Sequence, residues 1–466
     1  MSSKGILFLL PECAGYYTEL CYKMGEMLKE NGHSIFFAVT TPFYESFKKV
    51  NLSRIGKVYY LNNFLERKIE KGEYEDLDFN NWSYYASFSR QSYQFDKPLN
   101  GVDVFKRVKF FFQIILKEND VSLVISEGVS NSFLYLAYEQ ARANNIPYFG
   151  FMAARIPYHF NIHTDITGNM VLRNNQAPEE YLLPDAIPDY MKNSQFGGLF
   201  QRKYFLLTMS FYKEMIRFLF LRSFHSLEVG NTKSYLFKVY KIAIRRILSD
   251  IYYRKILKVY QADIKFQSAK VYVVYPLHFY PEASTSIMAK YYDGNEINLI
   301  KNLAFSLPEN CILVVKEHKS NVGNNSLRFY KKIKQLPNVV LLDPYYNLKD
   351  NLENFDAVVT LTSTVGFEAL TKKVPVYVLG EVFFQNYPGC EKVNSYFELE
   401  EKVKSLQKKQ VSGSKNETFN LYSKMCFEGN FNYMSINCLN RENISLLLSP
   451  VNEYLKTSNL NIHRNN

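Results

Sequence analysis

Serine, threonine, glycine and glutamate are concentrated in one ten-residue segment, Leu361-Thr-Ser-Thr-Val-Gly-Phe-Glu-Ala-Leu370. It lies between a predicted buried strand and a predicted helix, where ligands bind in open α/β sheets. Ser363 and Thr364 are suited to capping the helix, whose first N–H groups can bind phosphate oxygens. Gly366 lets a ligand approach the backbone, and Glu368 can accept hydrogen bonds from a ribose diol. The segment predicts a nucleotide site, although an ordinary helix cap with a capping-box glutamate explains the same residues.

Two further polar segments follow predicted strands in the same part of the chain. Val314-Val-Lys-Glu-His318 ends one strand and brings a cation, an acid and an imidazole together. Tyr275-Pro-Leu-His-Phe-Tyr-Pro-Glu-Ala-Ser-Thr-Ser286 follows an earlier strand. One histidine after a strand is usually structural, but three polar clusters at one sheet edge indicate a common ligand. The residues of these two segments predicted to bind it are Tyr280, Glu282, Ser284, Lys316 and His318.

The elements that must position these segments alternate between strands and helices. The predicted strands of the N-terminal part cover residues 6–10, 34–39, 121–126 and 147–151. Those of the C-terminal part cover residues 271–275, 312–316, 339–342, 357–361 and 375–379. Helical patterns separate them, and Gly32 ends the first helix. This alternation is typical of doubly wound parallel sheets.

The chain is long enough for two domains, because 466 residues exceed one ordinary core and 47% apolar residues can fill two. The predicted fold class is α/β, with two Rossmann-like domains facing across a cleft and a basic helical segment between them. The predicted boundaries are 1–180 with an irregular insertion at about 51–100, 181–269 for the helical segment, 270–440 for the second domain, and 441–466 for a helix and tail.

Most of the net charge of +11 lies in residues 201–258, where thirteen Lys and Arg face three acids. The same residues are rich in Phe and Tyr. Basic and aromatic residues on helices favour attachment to an anionic membrane surface, although a solvated helix face over buried aromatics has the same composition. Nucleic acid would suit the charge, but no recognition motif accompanies it, and no nucleic-acid partner is expected.

The cysteines and the N-terminus indicate the cytosol. The six cysteines contain no C-x-x-C pair, which predicts reduced thiols without a zinc or redox site. The apolar run 6–10 is too short for a signal peptide, and no stretch reaches the roughly 18 apolar residues of a membrane-spanning helix. We expect a cytoplasmic protein that is peripheral on the inner membrane face where the basic segment binds.

The three polar segments resemble motifs of the bacterial capsule polysaccharide biosynthesis family, which includes β-Kdo transferases that use CMP-Kdo. The resemblance covers roughly residues 271–384 and ends with Pro375-Val-Tyr-Val-Leu-Gly380. It is looser in the N-terminal half, where Ser126-Glu-Gly128 and Ala154-Arg-Ile156 are similar to acceptor-side motifs. The family usually has proline after Lys-Glu-His, whereas this chain has Lys319.

The resemblance implies an inverting, metal-independent glycosyltransferase of the GT-B class. It implies that the C-terminal domain binds a nucleotide sugar, with CMP-Kdo as one donor, through the residues already named. It implies that Gly128 and Arg155 lie on the acceptor side, in the N-terminal domain. The acceptor would be a surface or capsular polysaccharide or its lipid-linked precursor, and no cofactor besides the donor substrate is expected.

Inversion requires a carboxylate base for the acceptor hydroxyl. Glu127 is the first candidate, because it ends a buried strand and Gly128 leaves room beside it. A strand-end acid that caps the next helix explains Glu127 nearly as well, and Glu12 and Asp165 are weaker alternatives. No Asp-x-Asp pair follows a predicted strand, so helix N–H groups and cations would stabilise the leaving group.

Two other classes of protein share this shape. A nonhydrolysing sugar-nucleotide epimerase has two such domains and is metal-free, but it does not need a basic aromatic segment. A catalytically silent assembly or export partner would keep the fold as a binding module, and Glu127, His318 and Glu368 would then not serve one reaction.

Overall fold

The structure is a computed structural model that describes residues 3–11, 15–67, 71–74, 77, 98–173, 259–278, 283–292, 295–318, 325–406, 415–458 and 462–463. The chain forms two compact units. Of the described residues, unit 1 contains those up to 173 and those from 425 onward, and unit 2 contains those from 259 to 424.

The elements alternate along most of the chain. The strands are β1 Gly5–Leu10, β2 Ser34–Val39, β3 Lys57–Tyr60, β4 Val121–Glu127, β5 Tyr148–Ala153, β6 His159–His163, β7 Met170–Val171, β8 Val271–Pro276, β9 Cys311–Lys316, β10 Val339–Leu342, β11 Ala357–Thr360, β12 Val376–Val378, β13 Cys390–Lys392, β14 Phe427–Glu428 and β15 Ile462–His463. The α-helices are α1 Tyr17–Glu30, α2 Phe43–Lys48, α3 Leu61–Glu66, α4 Pro98–Glu118, α5 Ser132–Ala143, α6 Ala283–Met288, α7 Glu296–Ser306, α8 Leu327–Lys334, α9 Val365–Thr371, α10 Tyr396–Lys404, α11 Lys415–Ser423 and α12 Arg441–Thr457.

The sheet of unit 1 has a parallel part in the order β3-β2-β1-β4-β5. Strands β6 and β7 extend it antiparallel, with β15 beyond β7, and β14 pairs with β6. The direction of strand addition reverses between β1 and β4. In doubly wound folds, ligands bind at the carboxyl ends of the strands beside such a reversal.

The sheet of unit 2 is parallel throughout, in the order β10-β9-β8-β11-β12-β13. Numbered from its first strand, this is the 3-2-1-4-5-6 order of dinucleotide-binding folds. Its reversal lies between β8 and β11. The polar segments after these two strands therefore start at the position where the fold accommodates ligands.

Continuous apolar runs explain the central strands. All six residues of β1 are buried, as expected for a parallel strand covered on both faces. In unit 2, β9 supplies Leu313 and Val315, which are fully buried beside the β8 residues Val273 and Tyr275. The predicted α/β class with two Rossmann-like units is confirmed, and the pair is consistent with the GT-B-like class. That the units face each other across a cleft stays a prediction.

The region predicted as an irregular insertion differs from that expectation. Residues 57–60 form the edge strand β3, and residues 61–66 form α3. Strand β3 has no fully buried residue, so it lacks the apolar run that identifies central strands. The long helix α4 begins at Pro98 and was also missed. The basic segment 201–258 lies outside the described residues.

The C-terminal residues from 425 onward join unit 1, whereas the sequence placed residues up to 440 in the second domain. Helix α12 buries Leu447, Leu448 and Val451 in the same core as Ile6 and Phe8 of β1. The sequence predicts the apolar face of this helix, but it does not show that this face packs in the core of unit 1. Among the described helices, none is long and apolar enough to cross a membrane.

Candidate functional site

The three polar segments of unit 2 follow three neighbouring strands. Pro276 at the end of β8 lies opposite Lys316 at the end of β9. On the other side of β8, Val274 lies opposite Val358 of β11. The segments after β8, β9 and β11 consequently start at the same sheet edge, as the sequence predicted.

Backbone hydrogen bonds bring helix α6 to this edge. The N–H of Gly380, after β12, donates to the carbonyl of Leu361 at 3.1 Å. The N–H of Glu381 donates to the carbonyl of Met288, at the end of α6, at 2.8 Å. The loop after β12 thus ties α6 to the segment after β11. Ser284 is half-buried on α6, and Tyr280 and Glu282 lie outside the described residues.

Besides Tyr275 Oη within β8, four buried polar atoms that follow β8 and β11 have no hydrogen-bond partner in the described structure. They are His278 Nε2, Ser286 Oγ, Thr362 Oγ1 and Glu368 Oε2. His278, Ser286 and Glu368 are 6%, 1% and 5% exposed. Buried polar atoms are paired in most native proteins, so these four, after the two strands that flank the reversal, are the candidate ligand contacts of this edge.

His278 is neutral at physiological pH. Burial, and secondarily the nearby His318, lower the pKa of its imidazole to about 3. A neutral imidazole carries one N–H donor and one acceptor nitrogen. The backbone N–H of His278 donates to Oε1 of Glu296 at 3.3 Å. This hydrogen bond fixes His278 just after the carboxyl end of β8.

The Lys-Glu-His triplet divides into two structural residues and one accessible residue. Lys316 is 8% exposed, and its ammonium donates to the carbonyls of Pro344 at 2.9 Å and Glu317 at 3.3 Å. The structure thus directs this charge to the backbone, whereas the sequence assigned it to a donor substrate. The side chain of His318 is exposed.

Glu317 holds the loop that carries His318. Its carboxylate is fully buried and accepts hydrogen bonds from the Tyr330 hydroxyl at 2.6 Å and the His318 N–H at 3.0 Å. Burial and the adjacent carboxylate raise the pKa of Tyr330, which therefore stays a donor. The exposed imidazole is consequently presented by a rigid buried network.

The start of helix α9 differs from the predicted phosphate site. Ser363 Oγ accepts from the N–H of Val365 at 3.3 Å, and its carbonyl accepts from the N–H of Gly366 at 3.0 Å. Thr364 is the N-cap residue but makes no side-chain cap bond. The N–H groups of Val365 and Gly366 are therefore used within the turn.

Gly366 is explained by packing rather than by a ligand. A Cβ there would lie 2.9 Å from the ring of Phe384 and 3.1 Å from Cγ1 of Val376. The glycine therefore permits the side chains of Phe384 and Val376 to pack closely against the backbone of α9. Glu368, predicted to face a ribose, pairs its Oε1 with the ammonium of Lys349 at 2.8 Å, and only Oε2 is left for a ligand.

In unit 1, Glu127 ends β4 beside β1, at the reversal of strand order. Its half-buried carboxylate accepts from Ser130 Oγ on Oε1 at 2.8 Å and from the Tyr433 hydroxyl on Oε2 at 3.0 Å. Its backbone is also fixed. The N–H donates to the Tyr17 hydroxyl at 2.8 Å, and the carbonyl accepts from the Tyr148 hydroxyl at 3.0 Å.

The residues around Glu127 have mixed roles. A Cβ on Gly128 would lie 2.6 Å from Sδ of Met152, so this glycine makes room for a protein side chain. Arg155 is half-buried on the loop after β5. Asp165, an alternative base, accepts from the N–H groups of Thr167 and Asn169 at 2.8 and 3.1 Å and thus stabilises its own turn.

Glu12, the other alternative base, lies outside the described residues. Among the residues that the structure describes, no three His, Cys, Asp or Glu side chains are grouped to hold a metal ion.

Sequence reasoning missed four residues of these two sites. His278 and Ser286 lie within the polar segment after β8, but polarity alone does not show which of its side chains are buried. Thr362 was passed over in favour of Ser363 for the same reason. Tyr433 is 306 residues from Glu127, and no local pattern connects the two.

Solved structures with similar folds are remote. A protein described as KpsC, β-Kdo 2,7 transferase, from Thermosulfurimonas dismutans is 13% identical over 73% of this chain and 89% of its own, with a TM-score of 0.35. A glycosyltransferase from Rickettsia africae ESF-5 is 11% identical over 98% and 100%, with a TM-score of 0.31. A putative UDP-N-acetylglucosamine 2-epimerase from Listeria monocytogenes is 12% identical over 98% of both chains, with a TM-score of 0.30.

At these scores the structures carry no conclusion about substrate or mechanism. No curated protein sequence matches the chain. The model of a family described as capsule polysaccharide biosynthesis protein matches residues 207–431, just under half of the chain. This match includes all three polar segments of unit 2. The resemblance to the capsule polysaccharide biosynthesis family that those segments predicted is thereby confirmed over residues 207–431.

Proposed function

We propose that this chain is an inverting, metal-independent glycosyltransferase. It would transfer a sugar from a nucleotide sugar to a surface or capsular polysaccharide, or to its lipid-linked precursor. The observation that supports this most is the set of four buried unpaired polar atoms after β8 and β11. The family resemblance supports the capsular context and makes CMP-Kdo the first donor to test.

The chemistry of the four atoms fits a sugar nucleotide. The hydroxyls of Ser286 and Thr362 and the neutral imidazole of His278 can each donate one hydrogen bond to a phosphate or hydroxyl oxygen. Glu368 Oε2 is an acceptor and suits a sugar or ribose hydroxyl. Unit 2 therefore offers both donors and an acceptor, as a polyol joined to a phosphate requires.

Glu127 supplies the general base in this proposal. As the acceptor oxygen bonds to the anomeric carbon of the donor, its proton passes to the carboxylate of Glu127. The bond from the anomeric carbon to the phosphate oxygen breaks, and the nucleotide leaves with that electron pair. Two hydroxyls, those of Ser130 and Tyr433, donate to this carboxylate.

A thermal-shift panel of CMP, CDP, UDP and GDP tests the donor site, because a ligand that binds only the folded state raises its stability. We expect one nucleotide to raise Tm and the isosteric Thr362→Val variant to lose most of that rise. Ser326→Ala, which removes the cap of α8, is the matched control and should keep it. If no nucleotide shifts Tm, or if Thr362→Val responds like the wild type, the donor site is misplaced.

Sugar transfer is tested with a nucleotide sugar that carries the nucleotide identified by thermal shift. Glu127→Gln should abolish transfer and leave nucleotide affinity unchanged, because the base contacts the acceptor and not the nucleotide. EDTA should not reduce the wild-type rate. If Glu127→Gln keeps full turnover, the base assignment is wrong. Interconversion of the donor sugar without an acceptor would establish the epimerase instead.

A further inference from the structure

The first residues of the C-terminal segment are attached to the sheet of unit 1. Nδ2 of buried Asn161 donates to the carbonyl of Met425 at 2.7 Å. Strand β14 then pairs antiparallel with β6. Further along, the N–H of Tyr16 donates to the carbonyl of Tyr433 at 2.7 Å. The segment is thus fixed at both ends before its side chains are considered.

The backbone at Tyr433 passes very close to the turn that precedes α1. Gly15 in this turn has a φ of +76°, and a Cβ there would lie 2.4 Å from the carbonyl oxygen of Tyr433. Only glycine combines this conformation with this approach. Gly15 therefore permits the segment to lie against the carboxyl edge of the unit 1 sheet.

The side chain of Tyr433 is held as firmly as its backbone. Its ring packs edge-on against Tyr17, with the centroids 5.4 Å apart. The hydroxyl at the end of that ring donates to Oε2 of Glu127 at 3.0 Å. Tyr17 also accepts the N–H of Glu127, so the same pair of tyrosines contacts both the backbone and the carboxylate of this residue.

The two carboxylate oxygens of Glu127 receive hydroxyl donors from different parts of the chain. Ser130 donates to Oε1 from the loop after β4, and Tyr433 donates to Oε2 from the C-terminal segment. One donor to each oxygen fixes the plane of the carboxylate. A carboxylate oxygen can accept more than one hydrogen bond, so these two donors are compatible with proton transfer from a substrate hydroxyl.

We infer that Tyr433 is a positioning residue for Glu127, through which the C-terminal segment orients the catalytic carboxylate. This inference rests on the proposed function, since it assumes that Glu127 is the base. The tyrosine acts on the acceptor only through the carboxylate. Cys21 and Tyr148 also interact with the charge of Glu127, and burial raises the pKa of both, so they stay neutral and do not compete for its charge.

Tyr433→Phe tests the inference, because it keeps the ring against Tyr17 and removes only the donor. We expect turnover to fall about ten- to a hundredfold, the loss typical of one hydrogen bond to a charged group. Nucleotide affinity should not change. The acidic limb of the pH–rate profile should move to higher pH, because the variant stabilises the ionised carboxylate less.

Two further variants separate positioning from folding. Ser130→Ala removes the donor to Oε1 and should shift the acidic limb in the same direction. Tyr454→Phe removes a hydroxyl from another tyrosine of unit 1, whose ring packs on Phe149, and should change neither rate nor profile. Normal turnover and an unshifted profile in Tyr433→Phe would overturn the inference while Glu127→Gln remained inactive.

A measurement that does not depend on enzymatic activity tests the role of Tyr433 separately from the proposed function. In protein labelled with 13C at the glutamate carboxyl, the Glu127 signal is the one that Glu127→Gln removes. Its titration midpoint should rise in Tyr433→Phe even if the chain transfers no sugar. An unchanged midpoint would show that the hydrogen bond does not act on the carboxylate, and the inference would be wrong whatever reaction the protein catalyses.

Discussion

The ammonium of Lys349 lies 2.8 Å from Oε1 of Glu368, while Oε2 of the same carboxylate is buried and unpaired in the described structure. One oxygen thus maintains the fold and the other is available to a ligand. The glutamate is 6% exposed at its side chain and the lysine 35%. The lysine can therefore be changed without opening the core, whereas the carboxylate cannot leave it.

Lys349→Met should destabilise the protein by about 1–2 kcal/mol, because it leaves a buried carboxylate without its cation. The value is smaller than for a fully buried pair, since the lysine is partly hydrated. Urea unfolding measures the change. Lys404→Met is the matched control, because Lys404 pairs with Glu400 at 2.7 Å on the surface, where an ion pair contributes little to stability, so this variant should lose much less. Equal losses in the two variants would contradict a structural role for the buried pair.

His318→Ala and Ser363→Ala should weaken nucleotide binding to different extents. The exposed imidazole of His318 can donate to a phosphate, and its loss should lower affinity about ten- to a hundredfold. Ser363 Oγ accepts the N–H of Val365, so its removal mainly loosens the turn and should cost less affinity. Isothermal titration with the nucleotide identified by thermal shift measures both. An unchanged affinity in His318→Ala would place the donor site elsewhere.

The pH dependence of stability should contain a contribution from His278. Its pKa is about 3 in the folded protein against an ordinary value near 6.5. The unfolded chain therefore binds a proton that the folded chain does not, and the stability due to the neutral imidazole is complete above about pH 6.5 and lost as the pH falls toward 3. At about pH 5 the loss should be roughly 2 kcal/mol.

Urea unfolding of the wild type and a His278 variant at about pH 7.5 and pH 5 checks this value. Carboxylates contribute equally to the pH dependence of both proteins, so the difference between them is due to the imidazole. His278→Gln should flatten the dependence, and His318→Gln should weaken it only slightly, because His318 is the smaller cause of the lowered pKa of His278. If His278→Gln has the wild-type slope, the imidazole is not held neutral by the fold.

The fold was largely predictable because its central strands are apolar runs. Strands β2 and β10 have the predicted bounds, and β1, β4, β8 and β9 differ from prediction by one residue at an end. Strands β3, β6 and β13 were missed, as were the two-residue strands β7, β14 and β15. Strands β3 and β13 lie at sheet edges and bury less surface, so their sequences carry less signal. Strand β6 is buried within the sheet, but its residues alternate between polar and apolar and form no continuous apolar run.

The candidate site was predictable only to the level of segments. Parallel topology places the residues after β8, β9 and β11 at one edge, and the sequence therefore located the site. It did not show that Lys316 turns to backbone carbonyls or that Gly366 packs on Phe384. Those outcomes depend on contacts between segments far apart in sequence, as does the approach of Tyr433 to Glu127.

The basic segment 201–258 should bind anionic membranes, because its charge of +10 is combined with many aromatic residues. Each cation near such a surface contributes about 1 kcal/mol. Reversing Arg245, Arg246, Arg254 and Lys255 to glutamate should therefore release the protein from phosphatidylserine vesicles at low salt. Sedimentation with vesicles measures the bound fraction, and zwitterionic vesicles should bind neither protein.

A second charge-reversal variant, with four cations changed elsewhere in the chain, shows whether vesicle binding depends on a specific surface or on the net charge of the protein. Helix α8 exposes four cations, Arg328, Lys331, Lys332 and Lys334, and reversing them changes the total charge by the same amount. We expect this variant to remain on the vesicles, because a surface interaction falls off within about one Debye length, or roughly 10 Å. If both variants dissociate equally, net charge governs binding and the segment 201–258 has no particular role. If both remain bound, the aromatic and basic residues of that segment serve the fold instead.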